Sequence, residues 1–299
     1  MNIRAFAKIN LGLKVLGKRA DGFHDIETIF ARVGLFDELE IKLRQDSKIV
    51  VRTENAKISP KENLIFRAAW LLQKFSSRPF GVEILLRKRI PIGAGLGGGS
   101  ADAAAILKTL PRLWKLKIPP AKLKKLAASL GSDVPFFLEK SACWARGRGE
   151  ILEPVGLPKR FPREALIVVP PVRIVTGWAY GRIKNSELRI KNKIPPPLGK
   201  LGATPFTKGG SHIPPFCKGR CPERSEGRRD LINHFEKIVF REFPEIRKIK
   251  KQLEKSGAEI ASLSGSGSAV FGLFKKKPNK ELIHEFRKFG EVFIVKLRD

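Results

Sequence analysis

Residues 91–105 read PIGAGLGGGSADAAA, and five of the first ten positions are glycine. Glycine adopts backbone conformations that other residues avoid and lets the main chain approach a ligand closely. The alanine-rich run 101–110 predicts a helix, whose free N–H groups and partial positive charge would face the glycines. A glycine loop that opens a helix is typical of a phosphate site, so a phosphorylated ligand is expected here.

The spacing of residues in this loop distinguishes it from several known kinds of phosphate-binding loop. Residues 93–98 fit the dinucleotide pattern GxGxxG, but residues 111–125 contain no acidic residue for a ribose. A Walker A loop needs a lysine where Ser100 stands, and a protein kinase loop is followed by a strand. A flexible linker is disfavoured because a helix follows directly. Ser100 either caps that helix or offers a hydroxyl to phosphate or metal.

The composition indicates a folded and strongly basic protein. The 299 residues are 42% hydrophobic, with 59 Lys and Arg against 29 Asp and Glu and a net charge of +30. The basic excess is spread along both halves of the chain rather than gathered in a tail. It favours anionic ligands, whether nucleotides, phosphorylated metabolites or nucleic acid, without choosing among them.

Cysteine usage and hydropathy predict a cytoplasmic protein with no membrane partner. Three cysteines do not make a disulfide framework, and Lys8 interrupts the apolar start, so no signal peptide is expected. No apolar run is long enough to span a bilayer. Cys217, Cys221 and His212 supply three ligands where a structural zinc site uses four, so no metal site is predicted.

Hydrophobic periodicity predicts strands and helices in alternating clusters, hence an α+β or α/β class. Residues 184–229 break the pattern with Pro, Gly, Lys and Arg and predict a disordered insertion. Residues 263–268 read LSGSGS and form either a hairpin turn or a second wall of the anion site. The predicted strands are 2–16, 26–35, 38–43, 48–52, 82–86, 164–169, 259–263, 269–274 and 292–297. The predicted helices are 63–75, 101–110, 121–130, 231–240, 244–255 and 279–289.

Five motifs resemble known enzymes. Residues 91–105 resemble the P-x-x-x-G-L-G-x-[GS]-[SA] signature of small-molecule kinases such as galactokinase, homoserine kinase and mevalonate kinase. Four further segments narrow the resemblance to the 4-diphosphocytidyl-2-C-methyl-D-erythritol kinase family, in that family's order. These segments are residues 5–11 (AFAKINL), 21–24 (DGFH), 131–137 (GSDVPFF) and 264–268 (SGSGS).

The resemblance implies an α+β, two-lobed fold with the active site in the cleft between the lobes. The N-terminal lobe (residues 1–155) would be ribosomal-protein-S5-like, and the C-terminal lobe (residues 156–299) ferredoxin-like. The implied reaction moves the γ-phosphate of ATP, with Mg²⁺, to the 2-hydroxyl of the cytidyl-diphosphate methylerythritol of the non-mevalonate isoprenoid pathway. A monomer or weak dimer without a specific nucleic-acid partner is expected.

The resemblance also implies residue roles. Lys8 and Asp133 match the catalytic pair, and Asn233 matches a family segment whose role stays open. The residues that match the cytidine side are Asn10, Phe23, His24, Thr176 and Tyr180. The residues that match the ATP loop are Pro91, Ile92, Gly93, Ala94, Gly95, Leu96, Gly97, Gly98, Gly99, Ser100 and Ala101. Three positions depart from the family pattern, which usually has tyrosine at Phe23, serine at Ala101 and methionine at Leu263.

Simple physical chemistry is consistent with these roles. Phosphoryl transfer needs positioning, charge neutralisation and a group that takes the hydroxyl proton. Asp133 precedes an apolar run and suits a base, with Lys8 as the cation that keeps it ionised. The alternatives are a turn residue at Asp133 and a solvent-facing strand lysine at Lys8. For the whole chain there are two alternatives. One is another kinase of the same superfamily that acts on homoserine, mevalonate or a sugar, and the other is a nucleic-acid-binding protein, which only the charge suggests.

Overall fold

The structure, a computed structural model, describes residues 1–54, 63–76, 80–183 and 231–298. The predicted insertion, with Cys217, Cys221 and His212, lies outside these residues. The strands are β1 (Asn2–Lys18), β2 (His24–Arg44), β3 (Ile49–Thr53), β4 (Gly81–Arg87), β5 (Cys143–Arg146), β6 (Ile151–Pro154), β7 (Glu164–Val169), β8 (Ile260–Leu263), β9 (Val270–Phe274) and β10 (Glu291–Arg298). The helices are α1 (Leu64–Gln73), α2 (Gly98–Leu113), α3 (Pro120–Leu130), α4 (Thr176–Arg182), α5 (Phe235–Glu242), α6 (Pro244–Lys255) and α7 (Lys280–Arg287), with a 3₁₀ helix at Val134–Leu138.

Strand β2 organises the sheet. It pairs antiparallel with β1 over most of its length, with β4 along its second half and with β5 along its first half. Strand β10 joins β2 at Arg32 and Val33 and continues the sheet into β7, β9 and β8. The mixed sheet and its helices confirm the α+β class. The division at residues 155 and 156 stays a prediction.

Two apolar cores hold the helices on the sheet. In the first, buried residues of α1 and α2 such as Ile65 and Leu107 pack with Leu39 of β2 and Ile84 of β4. In the second, helices α5, α6 and α7 pack on β7, β8 and β9. Its fully buried side chains include Leu166, Phe235, Ile249, Val270 and Phe286. These five helices therefore each bury one face, as the apolar spacing along their segments predicts.

The structure changes the predicted elements in several places. Residues 26–35 and 38–43 belong to one strand, because Phe36 and Asp37 keep their pairing with β1 across the predicted break. Helix α5 begins at Phe235 rather than at 231, because the backbone at Ile232 and His234 bonds to Leu13 of β1. Strands β5 and β6 and helix α4 are short elements that the periodicity did not predict.

Candidate active site

The glycine loop, residues 91–99, connects the end of β4 to the start of α2. Gly93, Gly95 and Gly97 have φ of 75°, 79° and 70°, a left-handed conformation that disfavours side chains. A Cβ on Gly95 would overlap the carbonyl oxygen of Ser264. The glycines are therefore required both by the turn itself and by the close approach of a second segment.

Helix α2 begins three residues earlier than predicted. Its N-cap is Gly97 and its first residue is Gly98, so Ser100 lies in the first turn and does not cap the helix. The N–H groups of that first turn have no carbonyl of their own helix to bind. They are the donors that a phosphate at the loop can accept from.

The loop residues contribute mainly through the backbone. The side chains of Ala94, Leu96 and Ala101 are buried at 1–2% exposure, whereas Ile92 is 56% exposed. Buried apolar side chains anchor the loop and leave its peptide groups as the polar surface. Of the residues matched to the ATP loop, Ser100 is the one with a hydroxyl to offer.

A buried ionic cluster, Asp37, Lys88 and Asp102, lies behind the loop. Lys88 Nζ is 2.5 Å from Asp37 Oδ2 and 3.1 Å from Asp102 Oδ2. Asp37 Oδ1 also accepts the N–H groups of Arg89 (2.6 Å) and Ile90 (2.8 Å), directly before the loop. Asp37 is in β2 and Asp102 in α2, so the cluster ties both ends of the loop to the sheet.

The ionic cluster sets one lysine against two buried carboxyl groups. Burial raises the pKa of Asp102, Lys88 partly opposes this rise, and the charge of Asp37 adds to it. Burial alone would lower the pKa of Lys88, but the two carboxylates outweigh it and raise that pKa. Within the described residues, Asp102 Oδ1 has no hydrogen-bond partner.

Lys8 and Asp133 meet beside the loop. Lys8 Nζ is 3.5 Å from Asp133 Oδ2 and donates a 2.6 Å hydrogen bond to Asn10 Oδ1. The backbone N–H of Lys8 donates to the carbonyl of Leu96 (3.0 Å) in the glycine loop. Lys8 is 3% exposed, so it is not the solvent-facing lysine of the alternative interpretation. The Asp133 side chain is 33% exposed and therefore remains accessible to a substrate.

The serine loop, residues 264–268, joins β8 to β9 and packs against the glycine loop. Ser264 Oγ donates to the carbonyl of Gly95 (2.9 Å), and the N–H of Ala269 donates to the carbonyl of Ala94 (3.1 Å). The segment is thus both a hairpin connection and a wall against the glycine loop. The two interpretations of this sequence are compatible.

One cavity of about 570 Å³ brings together the predicted catalytic pair and the residues matched to the cytidine side. Residues from both halves of the chain line it, from β1, β2, the glycine loop, α4, the start of α5, the serine loop and the turns before β2, before the 3₁₀ helix and between β5 and β6. The predicted residues on its wall are Lys8, Asn10, Phe23, His24, Gly95, Asp133, Thr176 and Tyr180. The matched positions of the ATP loop other than Gly95 lie outside this cavity wall.

Aromatic side chains form the end of the cavity that lies near the start of β2. The His24 and Tyr180 rings stack with centroids 4.8 Å apart, and Phe235 meets Tyr180 edge-on. Phe23 is half exposed, and the guanidinium of Arg148 lies 4.7 Å from its ring centroid. Flat apolar faces beside hydrogen-bonding edges are what a nucleobase requires.

Burial sets the protonation of two of these side chains. It lowers the pKa of His24, and the charge of Lys18 lowers it further, so the imidazole is neutral at pH 7. Burial also raises the pKa of Tyr180, with a smaller effect from Asp133, so the phenol keeps its proton. A neutral imidazole both donates and accepts a hydrogen bond.

Sequence reasoning missed two charged residues that line the cavity, Lys18 and Arg148, and included Ser132 and Ser266 only as parts of longer motifs. Ser266 Oγ is 3.2 Å from Thr176 Oγ1, which connects the serine loop to α4. Arg148 lies in the turn between β5 and β6, and its place over Phe23 depends on a contact between distant segments. No local pattern marks such a contact.

Within the described residues, no three His, Cys, Asp or Glu side chains cluster as a metal site. No helix in the same ranges is long and apolar enough to cross a bilayer.

Comparison with known proteins defines the class first. Residues 63–140 match the GHMP kinases N terminal domain, and residues 223–292 match GHMP kinases C terminal. Two solved structures share the fold. Homoserine kinase from Cytophaga hutchinsonii has 16% identity and a TM-score of 0.66, with 99% of this chain and 95% of that chain covered. A mevalonate kinase has 14% identity and a TM-score of 0.61, with 100% of this chain and 99% of that chain covered. The fold is therefore that of the GHMP small-molecule kinases, as predicted.

More similar relatives give the family. A 4-diphosphocytidyl-2-C-methyl-D-erythritol kinase of Pelodictyon phaeoclathratiforme is 40% identical over 92% of this chain and 89% of the relative. A kinase of the same name from Thermodesulfovibrio yellowstonii is 38% identical over 96% of this chain and 94% of the relative. A crystal structure of 4-(cytidine 5'-diphospho)-2C-methyl-D-erythritol kinase has 33% identity and a TM-score of 0.78, with 100% of both chains covered. The chain belongs to the 4-diphosphocytidyl-2-C-methyl-D-erythritol kinase family.

Proposed function

We propose that this kinase transfers the γ-phosphate of ATP to the 2-hydroxyl of 4-diphosphocytidyl-2-C-methyl-D-erythritol, with Asp133 as general base. The observation that carries the proposal is the single cavity in which the Lys8–Asp133 pair meets both the glycine loop and an aromatic pocket. Gly95 of the glycine loop, the Asp133 carboxylate and an aromatic surface thus line one cavity.

The reaction step follows from this arrangement. The substrate hydroxyl oxygen attacks the γ-phosphorus while its proton passes to a carboxylate oxygen of Asp133. The bond from the γ-phosphorus to the bridging oxygen breaks, and ADP leaves with that bond's electron pair. Lys8 donates to Asn10 at 2.6 Å, lies 3.5 Å from the Asp133 carboxylate and stabilises negative charge on the reacting oxygens.

The phosphate side of the site is mostly main chain. The first-turn N–H groups of α2 and the peptides of the glycine loop would bind the phosphates of ATP. Mg²⁺ on a nucleotide takes most of its ligands from phosphate oxygens and water, so one or two protein oxygens suffice. The Ser100 hydroxyl, in the first turn of α2, fits that small donor set. Mg²⁺ would neutralise charge on the phosphates that the main chain positions.

The base side is built from side chains. Phe23 supplies a half-exposed ring for stacking, and neutral His24 supplies a donor and an acceptor for the edge of cytosine. Thr176 and Tyr180 complete the wall on α4. The departure at Phe23 removes a hydroxyl that the family usually has but leaves the stacking face, which carries most of the interaction with an isolated base.

A substrate panel tests the assignment. ATP turnover is measured with 4-diphosphocytidyl-2-C-methyl-D-erythritol, homoserine, mevalonate and galactose at equal concentrations. We expect phosphorylation of the cytidyl compound and at least a hundredfold lower turnover of the others, about the discrimination that lost polar contacts produce. Turnover of mevalonate or homoserine without turnover of the cytidyl compound would contradict the proposal.

The Asp133→Asn variant tests the base. Asparagine keeps the shape but accepts no proton, so kcat should fall by about 10²- to 10⁴-fold with little change in ATP affinity. Calorimetric titration with a non-hydrolysable ATP analogue measures that affinity separately. Glu139→Gln is the matched control, because Glu139 pairs with Lys124 on the surface at 2.8 Å and should leave kcat unchanged. Near-normal turnover by Asp133→Asn would exclude the base role.

A further inference from the structure

Asn233 is a buried polar residue between three segments of the site. It is 1% exposed and lies just before α5, where it forms an isolated bridge with Leu13 of β1. The backbone on both sides of it is fixed to that strand: Leu13 donates to the carbonyl of Ile232 (2.8 Å), and His234 donates to the carbonyl of Leu13 (2.8 Å). The backbone at Asn233 is thus fixed independently of the hydrogen bonds that its side chain makes.

The side chain of Asn233 bonds in two directions. Its Oδ1 accepts the N–H of Phe235 (3.0 Å) at the start of α5, as a capping residue does. Its Nδ2 donates to the carbonyls of Leu263 and Gly265, both at 2.8 Å. The two donor bonds span the beginning of the serine loop and use both N–H bonds of the amide.

The serine loop that Asn233 holds contacts both substrate sides of the cavity. Ser264 supports Gly95 of the glycine loop through its 2.9 Å hydrogen bond. Ser266, whose hydroxyl is 3.2 Å from that of Thr176, lies on the cavity wall with Gly265. A shift of this loop therefore moves the phosphate side and the base side together.

We propose that Asn233 is a positioning residue for the phosphoryl transfer: its side-chain amide fixes the serine loop, and through it Gly95 and Thr176. The proposal rests on the proposed function of the cavity. Asn233 touches no reacting atom, so its effect passes entirely through the loop. Misplacement of positioning groups by about 1 Å can cost 10²-fold in rate, which gives the scale of the effect.

A purely structural role, that of a helix cap, makes a different prediction. Aspartate caps helices as well as asparagine does, so a cap is preserved in Asn233→Asp. The same variant has no amide donor and places carboxylate oxygens against the carbonyls of Leu263 and Gly265. Asn233→Asp thus separates the cap from the loop support, while Asn233→Ala removes both.

The experiment compares Asn233→Asp, Asn233→Ala and the control Ile249→Ala. Ile249 is fully buried in α6 and does not line the cavity, so its truncation lowers stability while every hydrogen bond of Asn233 stays in place. Each variant is measured for melting temperature, for kcat/KM with ATP and the cytidyl substrate, and for hydrogen exchange of the amides of Ser264, Gly267 and Ala269. These three amides donate within the serine loop or to Ala94.

We expect both Asn233 variants to lose about 10- to 100-fold in kcat/KM and to exchange the three amides faster, with Ile249→Ala near wild type in both. Near-normal kcat/KM and near-normal amide exchange in Asn233→Asp would overturn the proposal and leave Asn233 with a helix-capping role alone. Equal losses in all three variants would overturn it as well. If the wild type fails to phosphorylate the cytidyl substrate, the proposed function is wrong, and the exchange data still decide whether Asn233 supports the loop.

Discussion

The ionic cluster and the serine loop hold the same glycine loop by different chemistry. The ionic cluster joins the loop's two ends to β2 through one lysine and two carboxylates, all of them at most 8% exposed. The serine loop touches its middle through neutral hydroxyl, amide and carbonyl groups. The glycine loop is therefore anchored by the ionic cluster on the side away from the cavity and by neutral hydrogen bonds to the serine loop beside the cavity.

The difference between the two supports follows from what lies near each of them. A buried ion pair costs desolvation and stabilises only when every partner is present, so it suits a position that never opens to water. A neutral hydrogen-bonded wall adds no charge next to a nucleotide's phosphates, and each of its bonds contributes about 1 kcal/mol. The ionic cluster should thus be far more sensitive to a single substitution than the serine loop.

The largest effect is expected for Lys88→Met. The substitution leaves two buried carboxylates without a cation and should lower the free energy of unfolding by about 3–5 kcal/mol in urea titrations. Lys124→Met is the control, because the Lys124–Glu139 pair lies on the surface and contributes at most about 1 kcal/mol. Similar losses in the two variants would show that the cluster is not the stronger anchor.

The pH dependence of the Lys88→Met deficit provides a second check. Without lysine, burial and the charge of Asp37 raise the pKa of Asp102 further in the folded state, because the Lys88 charge that opposes this rise is gone. An acid with a raised folded pKa gains stability as pH falls, because the folded state then binds more protons than the unfolded state. The deficit should shrink as pH is lowered from 8 towards 5, and a constant deficit would contradict this account.

An intermediate effect is expected for Gly95→Ala. A methyl group at φ of 79° is strained, and it would overlap the Ser264 carbonyl, so the glycine loop and the serine loop must separate. Strain of this kind costs about 1–3 kcal/mol and should weaken binding of an ATP analogue in calorimetry. Gly156→Ala is the control, because a Cβ there meets nothing within 4 Å. Unchanged ATP affinity in Gly95→Ala would argue against close packing of the two loops as a binding requirement.

Much of this site was predictable because its signals are local. The glycine loop is contiguous, and Asp133 stands between a helix end and an apolar run in the sequence itself. Lys8 was matched through its own segment. The structure brings Lys8 and Asp133 together as expected, and their roles stay proposals.

The rest of the site depends on contacts that no local pattern encodes. Asp37, Lys88 and Asp102 are far apart in sequence and meet only because β2, β4 and α2 pack together. Asp37 falls between two predicted strands, and its buried partner Lys88 is evident only in the folded structure. Arg148 over Phe23 is a contact of this kind too.

The smallest effect is expected for Ser264→Ala, which tests whether the neutral wall is made of separable parts. The change removes one hydroxyl-to-carbonyl bond to Gly95, while the Ala269–Ala94 backbone bond and the Asn233 bonds remain. A loss of about 1 kcal/mol in stability and about fivefold in kcat/KM for ATP should follow. Ser129→Ala, which removes a comparable exposed bond to the Leu126 carbonyl, should change neither. A loss as large as that of Lys88→Met would mean that the serine loop is as indivisible as the ionic cluster, and that charge alone does not explain the difference between the two supports.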